Sequence, residues 1–358
     1  MTLYLDANAT EPLRPAARAA VIAALDAGGN PSAVHGMGRA ARRRLEEARE
    51  AVAARFGARS GDVVFTGGGT EANALAIHGL GRGRRVLVGA TEHPAVLAAA
   101  GPGAEVVPVL GDGRVDLGAL ERMLAEGPPA LVCLMAANNE TGVIHPIAEA
   151  AALCRVHGAL LHMDAVQAAG RIPLPEGVDS WAISGHKLGG PPGAGALLLR
   201  AGLELPALIA GGGQERGRRG GTEPLPAIAG MAAAVADPGE AGRLAALRDR
   251  IEAGVAGEAV IAGAGAPRLP NTSCIILPGV AAETQVIALD LAGVRVSAGA
   301  ACSSGKVARS PVLAAMGLGA MAGCGIRISL PWNAPEDAAE RFLVAWAAMR
   351  ARLSKSAA

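Results

Sequence analysis

Between about residues 60 and 200, short apolar runs alternate with stretches long enough to be helices. The runs are "DVVFT", "RRVLVGA", "EVVPVL", "ALVCLMAA", "ALLHMDA", "WAIS" and "AGALLLR". Continuous aliphatic and β-branched runs of this kind predict strands buried on both faces. The pattern therefore predicts an α/β layered domain built on a mostly parallel seven-stranded sheet. Before it, "RAARRRLEEAREAVAARF" predicts a helix over Arg39 to Phe56, with Leu45, Ala48, Val52 and Phe56 on one face. After it, "TEPLPAIAGMAAAVA" and "EAGRLAALRDRIEAGVA" predict long helices leading out of the sheet. From about residue 241 the strands thin out to "NTSCIIL", "VRVSA" and "IRISL", and "EDAAERFLVAWAAMRARL" closes the chain as a helix. This second region predicts a smaller α+β domain. The expected division is 13–240 for the large domain, with 1–12 and 241–358 forming the small one.

Composition narrows the class. The 358 residues are 51% hydrophobic and 18% charged, enough for a sizeable core and unlike a disordered chain. Lys and Arg number 33 against 32 Asp and Glu, so no basic footprint for nucleic acid is expected. The start, "MTLYLDANATEPL", has neither the basic nor the apolar region of a signal peptide. No uncharged apolar run reaches membrane-spanning length. The five cysteines are odd in number and lack CxxC spacing. Neither a disulfide framework nor a metal site is expected, and a cytoplasmic enzyme with reduced thiols is the default.

Four constellations carry candidate chemistry. In "SGHKLGGP", Lys187 follows a buried strand, where partial desolvation makes an amine nucleophilic and suits it to a Schiff base; an ordinary surface lysine is the alternative. In "LLHMDAVQ", Asp164 ends an apolar strand, where ligands bind in open α/β sheets. A buried carboxylate needs a cation, and the protonated pyridine of pyridoxal phosphate is one; capping the next helix is the alternative. In "FTGGGTEANALAIHGL", a glycine-rich turn opens a helix, so backbone N–H groups and Thr70 could hold a phosphate, or Thr70 could simply be the N-cap. In "ATEHPAV", His93 at a strand end could stack on a flat ring or be a hydrogen-bonded loop residue.

Taken in order, "YLDANAT", "GNPSAVHGMGRAAR", "GGTEANALAI", "TEHPAV", "ANNETGVIHPI", "HMDAVQ", "SGHK", "GPPGAGAL", "GGGQERGRRGGT", "SAGAACSSGK" and "IRISL" resemble the cysteine desulfurases along essentially the whole chain. These are pyridoxal phosphate enzymes of the class V aminotransferase group with fold type I. The cysteine segment is similar to the branch serving nitrogenase and housekeeping iron–sulfur assembly. The resemblance implies that Lys187 carries the cofactor, Asp164 pairs with its ring nitrogen and His93 stacks on the ring. Gln167 would face the phenolic oxygen, with Asn139 beside it and the substrate. Gly69, Thr70, Ser184 and His186 would hold the phosphate, joined by Thr222 from a neighbouring subunit, which implies a homodimer. Arg327 would clamp the substrate carboxylate, and Asn30 would border the substrate pocket. L-cysteine would become L-alanine, with Lys187 taking the Cα proton and Cys302 receiving the sulfur as a persulfide. His93 is a candidate proton carrier, and a sulfur-acceptor or iron–sulfur scaffold protein would be the downstream partner.

The sequence also departs from the family pattern. Gly67 replaces a usual Ser in the phosphate turn, "LGGPPG" follows Lys187, and Pro331 replaces a usual Gly. "SAGAACSSGK" itself could be misread as a P-loop, but Ala300 and Val307 stand where the first Gly and the Ser or Thr belong. A selenocysteine lyase, an aminotransferase or an inactive scaffold are the alternative functions. The remaining cysteines read as small buried hydrophobes, with Cys133, Cys154 and Cys274 in apolar strands and Cys324 less clear.

Overall fold

In the computed structural model, which describes residues 2–237, 239–299 and 309–356, the seven apolar runs form one sheet. Across it the strands lie in the order Val63–Thr66, Gly195–Leu199, Ser180–Ser184, Leu160–Asp164, Ala130–Met135, Arg85–Gly89 and Glu105–Val107. Only Gly195–Leu199 is antiparallel to its neighbours. The strand alternation divides the core between two faces. Val63, Phe65, Leu87, Val132, Leu161 and Met163 pack in one cluster. Val64, Val88, Leu131, Cys133 and Leu197 pack in the other. Each such buried side chain contributes roughly 1.5–3 kcal/mol, which explains why these runs have no polar side. "EVVPVL" is strand only over Glu105–Val107. Pro108 lacks the N–H that a ladder needs, and the strand lies at the sheet edge.

The helix predicted over Arg39 to Phe56 spans Gly36–Phe56 and begins three residues earlier than the pattern predicts, because His35 caps it by accepting from the Gly38 N–H. Leu45, Ala48 and Val52 are buried as expected, while Phe56 is partly buried. The same helix carries a buried cation, Arg49, bonded in two-pronged fashion to Glu215 at 2.6 and 2.8 Å. Glu215 and its neighbour Arg216 adopt left-handed backbone, φ 48° and 59°. The buried pair thus holds the "GGGQERGRRGGT" segment in a conformation that its residues would otherwise avoid.

Cys154 departs from the expectation of an apolar strand. It lies in the helix Ile147–Val156, where Ile147, Ala150, Ala151 and Cys154 are buried at helical spacing. A short alanine-rich apolar run does not separate strand from helix until that spacing is counted.

The C-terminal region forms a four-stranded antiparallel sheet ordered Ser297–Ala298, Gly325–Ser329, Thr272–Ile276 and Val260–Ile261. "VRVSA" divides at Val296: Val294–Arg295 pairs in parallel with the N-terminal strand Leu3–Tyr4, and Ser297–Ala298 joins the four-stranded sheet. Leu3 and Leu5 pack with Leu244, Leu247, Phe342 and Trp346. The segment after Leu5 then links this sheet to the large one. The Asn8 N–H bonds Ser329 Oγ at 2.9 Å, and its carbonyl accepts from Lys187.

Candidate functional site

The C-terminal ends of the parallel strands border a cavity of about 440 Å³. Gly69, Thr70, His93, Asn139, Asp164, Gln167, Ser184, His186, Lys187 and Arg327 all line it. A larger groove of about 560 Å³, lined by Phe56, Ile172, Leu174 and Trp181, contains none of the predicted residues. Asn30 and Thr222 are exposed and do not line the cavity. Cys302 lies outside the described residues, as do Ala300 and Val307.

Asp164 is the last residue of its strand and is 6% exposed. Its Oδ1 accepts from the Val166 N–H and its Oδ2 from Asn73 Nδ2, both at 2.9 Å. Both donors are neutral. Burial therefore pushes its carboxyl above the ordinary range, against the lowering effect of these bonds and of nearby His93 and Lys187. Such a carboxylate suits a cationic heteroaromatic nitrogen, which would return the ionised form to favour. The residues after Asp164 form turns that lead to the strand Ser180–Ser184 and no helix, so the bond to Val166 is a local turn and the capping alternative does not hold.

The helix Gly69–Leu80 follows the strand Val63–Thr66. Its N-cap is Gly68, not Thr70, and no side chain caps it. First-turn N–H groups without a side-chain acceptor suit a phosphate. Gly69 is required by close approach: a Cβ there would lie 2.7 Å from Val166 Cγ2. Gly67 donates its N–H to Glu71 Oε2 at 2.7 Å. Buried Ser184 ends the strand Ser180–Ser184, which lies beyond Gly195–Leu199 and finishes at the same end of the sheet.

His93 caps the helix Pro94–Ala100, its Nδ1 accepting from the Ala95 N–H at 3.1 Å. The neutral ring thus carries its proton on Nε2. Burial lowers its pKa, and the Lys187 charge works the same way against the Asp164 carboxylate. Lys187 sits in the short turn after its strand, and its Nζ reaches the carbonyls of Asn8 at 2.5 Å and Ala9 at 2.7 Å. His186 contacts Thr10 Oγ1 at 3.2 Å, and burial followed by the Lys187 charge brings it to about 4. Gln167 bonds the Asn8 carbonyl through Nε2 and accepts from Arg171.

Arg327 comes from the other sheet, on the strand Gly325–Ser329, and is 5% exposed. It bonds Asp6 Oδ1 at 2.6 Å and the Asn139 carbonyl at 3.2 Å. Its buried Nε has no hydrogen-bond partner among the described residues. A planar donor with an unused edge at a cavity wall suits a carboxylate. Next to it, Gly299 also lines the cavity, and a Cβ there would meet Glu140 Oε2 at 2.3 Å.

Sequence reasoning missed Asp6, Asn8 and Asn73 as individual contributors. The first two stood in "YLDANAT" as polar residues within an apolar strand end, a signal that was available. Asn73 had no local signal. It also missed Glu92, a buried carboxyl whose Oε1 accepts from the Met135 N–H at 2.6 Å and which burial pushes well above its ordinary range. Among the described cysteines, burial pushes Cys154 and Cys274 up to about 12 and Cys133 well up. Their thiols are poor nucleophiles.

Comparison with known proteins agrees with this chemistry. The family model for Aminotransferase class-V matches residues 3–342. The chain is 44% identical over 350 residues to a cysteine desulfurase of Cereibacter sphaeroides, covering 92% of this chain and 90% of that one. It is 40% identical to an IscS-like cysteine desulfurase of Mycobacterium tuberculosis, covering 99% and 98%. A solved NifS-like protein from Rickettsia africae superposes with a TM-score of 0.90 at 33% identity, over 98% of this chain and 99% of that one.

Proposed function

The chain belongs to the class-V aminotransferase family, among its pyridoxal phosphate-dependent cysteine desulfurases, and on that footing we propose which residues convert L-cysteine to L-alanine and receive the sulfur. One observation carries the assignment: a buried carboxylate, Asp164, and an amine, Lys187, line the same cavity at the sheet's C-terminal edge. When bound, pyridoxal phosphate supplies an electron sink for negative charge at the substrate Cα. The first turn of the helix Gly69–Leu80, with Thr70, Ser184 and His186, holds its phosphate. Asp164 faces the ring nitrogen, His93 offers its flat ring, and Gln167 and Asn139 attend the phenolic side.

Lys187 would hold the cofactor, and its amine would act as the base for the substrate Cα proton. Arg327 binds the substrate carboxylate, and Asn30 borders the approach. The Cys302 thiolate attacks the substrate sulfur. The new S–S bond forms as the Cβ–S bond breaks, and the electron pair left on carbon is protonated, giving alanine and a Cys302 persulfide. Purified protein supplied with the cofactor and a reducing thiol, which cleaves the persulfide, is expected to release alanine and sulfide from L-cysteine in equal amounts. Dependence on a 2-oxo acid acceptor, or alanine without sulfur, would overturn the reading.

The proposal extends to a cytoplasmic homodimer that passes sulfur to an acceptor or iron–sulfur scaffold protein. In support, Thr222 is exposed and lies away from this chain's own cavity, where a second copy can meet it. Light scattering is expected to give twice the 35.5 kDa chain mass; a monomer at working concentration rules the dimer out. The domain division at 13–240, with 1–12 and 241–358 as the second unit, is supported by the packing of Leu3 and Leu5 with the C-terminal helices.

A further inference from the structure

From Asn73, which also lines the cavity, a chain of buried polar groups runs behind Asp164. Asn73 Nδ2 donates to Asp164 Oδ2, and Asn73 Oδ1 meets His162 Nε2 at 2.9 Å. His162 Nδ1 in turn meets Ser180 Oγ at 2.8 Å. Asn73 is 1% exposed, and His162 and Ser180 are 0% exposed. A carboxylate takes only donors, so the Asn73 amide must present its NH₂ to Asp164 and its oxygen to His162. His162 then carries its proton on Nε2, and its Nδ1 accepts the Ser180 hydroxyl proton. One orientation satisfies every member.

The backbone makes this possible. His162 and Asp164 are two residues apart on one strand and share a face, and Ser180 is the register partner of His162 on the parallel neighbour. Asn73 lies four residues after Gly69 on one helix, so it shares a face with the proposed phosphate turn. One helix thus touches both ends of the proposed cofactor site. Burial also lowers His162 to about 3, so the chain behind Asp164 carries no charge at neutral pH. A cation at His162 would compete for Asp164 with the ring nitrogen.

We propose that Asn73, His162 and Ser180 are positioning residues that fix the Asp164 carboxylate toward the ring nitrogen through an uncharged relay. The proposal rests on the role of Asp164 given above. Its test is reconstitution of the apoprotein with pyridoxal phosphate, followed by the cofactor dissociation constant and the visible circular dichroism of the bound ring. Asn73→Ser is expected to weaken cofactor binding about tenfold, the worth of a lost bond to a charged group, and to alter the visible dichroism. His162→Leu is expected to do the same. His162→Gln, which can still donate to Asn73 and accept from Ser180, is expected to stay within about threefold of wild type. Binding and dichroism unchanged in Asn73→Ser and His162→Leu, while Asp164→Asn loses both, would overturn the relay alone. An unchanged Asp164→Asn would overturn the role of Asp164 and the relay with it. Equal losses in His162→Gln and His162→Leu would reduce the relay to packing and overturn it too. Should Asn73→Ser not fold, the His162 pair decides the matter.

Discussion

Lys187→Ala is expected to abolish the visible absorption of the cofactor-loaded protein and to lower kcat/KM for L-cysteine by about 10³-fold or more. Two roles vanish together. On the proposed assignment the amine that holds the cofactor is gone, and so is the base for the Cα proton, a contribution alone of roughly 10²–10⁴-fold. The surroundings suit both roles. Lys187 is half-buried, and its Nζ is turned toward the Asn8 and Ala9 carbonyls at the cavity wall. Lys187→Arg is not expected to rescue either role, because a guanidinium stays protonated. Absorption spectra and alanine formation check this directly. A visible band of wild-type position and strength in Lys187→Ala would remove Lys187 from the assignment.

Cys302→Ala is expected to separate the two halves of the reaction. Release of sulfur from L-cysteine should fall by about 10³-fold or more, as when a covalent nucleophile is removed. The change in the visible spectrum on adding L-cysteine should persist, because Lys187, Asp164 and Arg327 remain. Three of the four described cysteines are not suited to stand in. Cys133, Cys154 and Cys274 are buried with thiols pushed far above neutral pH, and Cys324→Ala serves as the control for the half-buried remaining thiol. Sulfide release from Cys302→Ala at the wild-type rate, with a reducing thiol present, would end the persulfide role.

Much of this was legible without coordinates. Seven apolar runs became seven strands because a strand buried on both faces is filled mainly by apolar side chains, and buried polar exceptions such as His162 and Ser180 are hydrogen-bonded. Asp164, Ser184 and Lys187 were legible because each breaks such a run at its end, where the sheet opens to solvent. Cys154 was misread because an alanine-rich run satisfies both strand and helix. The alternative that made Thr70 the N-cap falls away because Gly68 occupies that position.

By itself the sequence determined the layered α/β class and the strand ends where chemistry concentrates, since burial and chain direction are written into the local pattern. Only the tertiary structure decided what each polar group meets. Arg327 reaches Asp6 from 321 residues away, Lys187 reaches the Asn8 carbonyl from 179, and Asn73 reaches Asp164 from 91. Hydrogen bonds are directional and short, and their partners are selected by topology, which no local periodicity encodes.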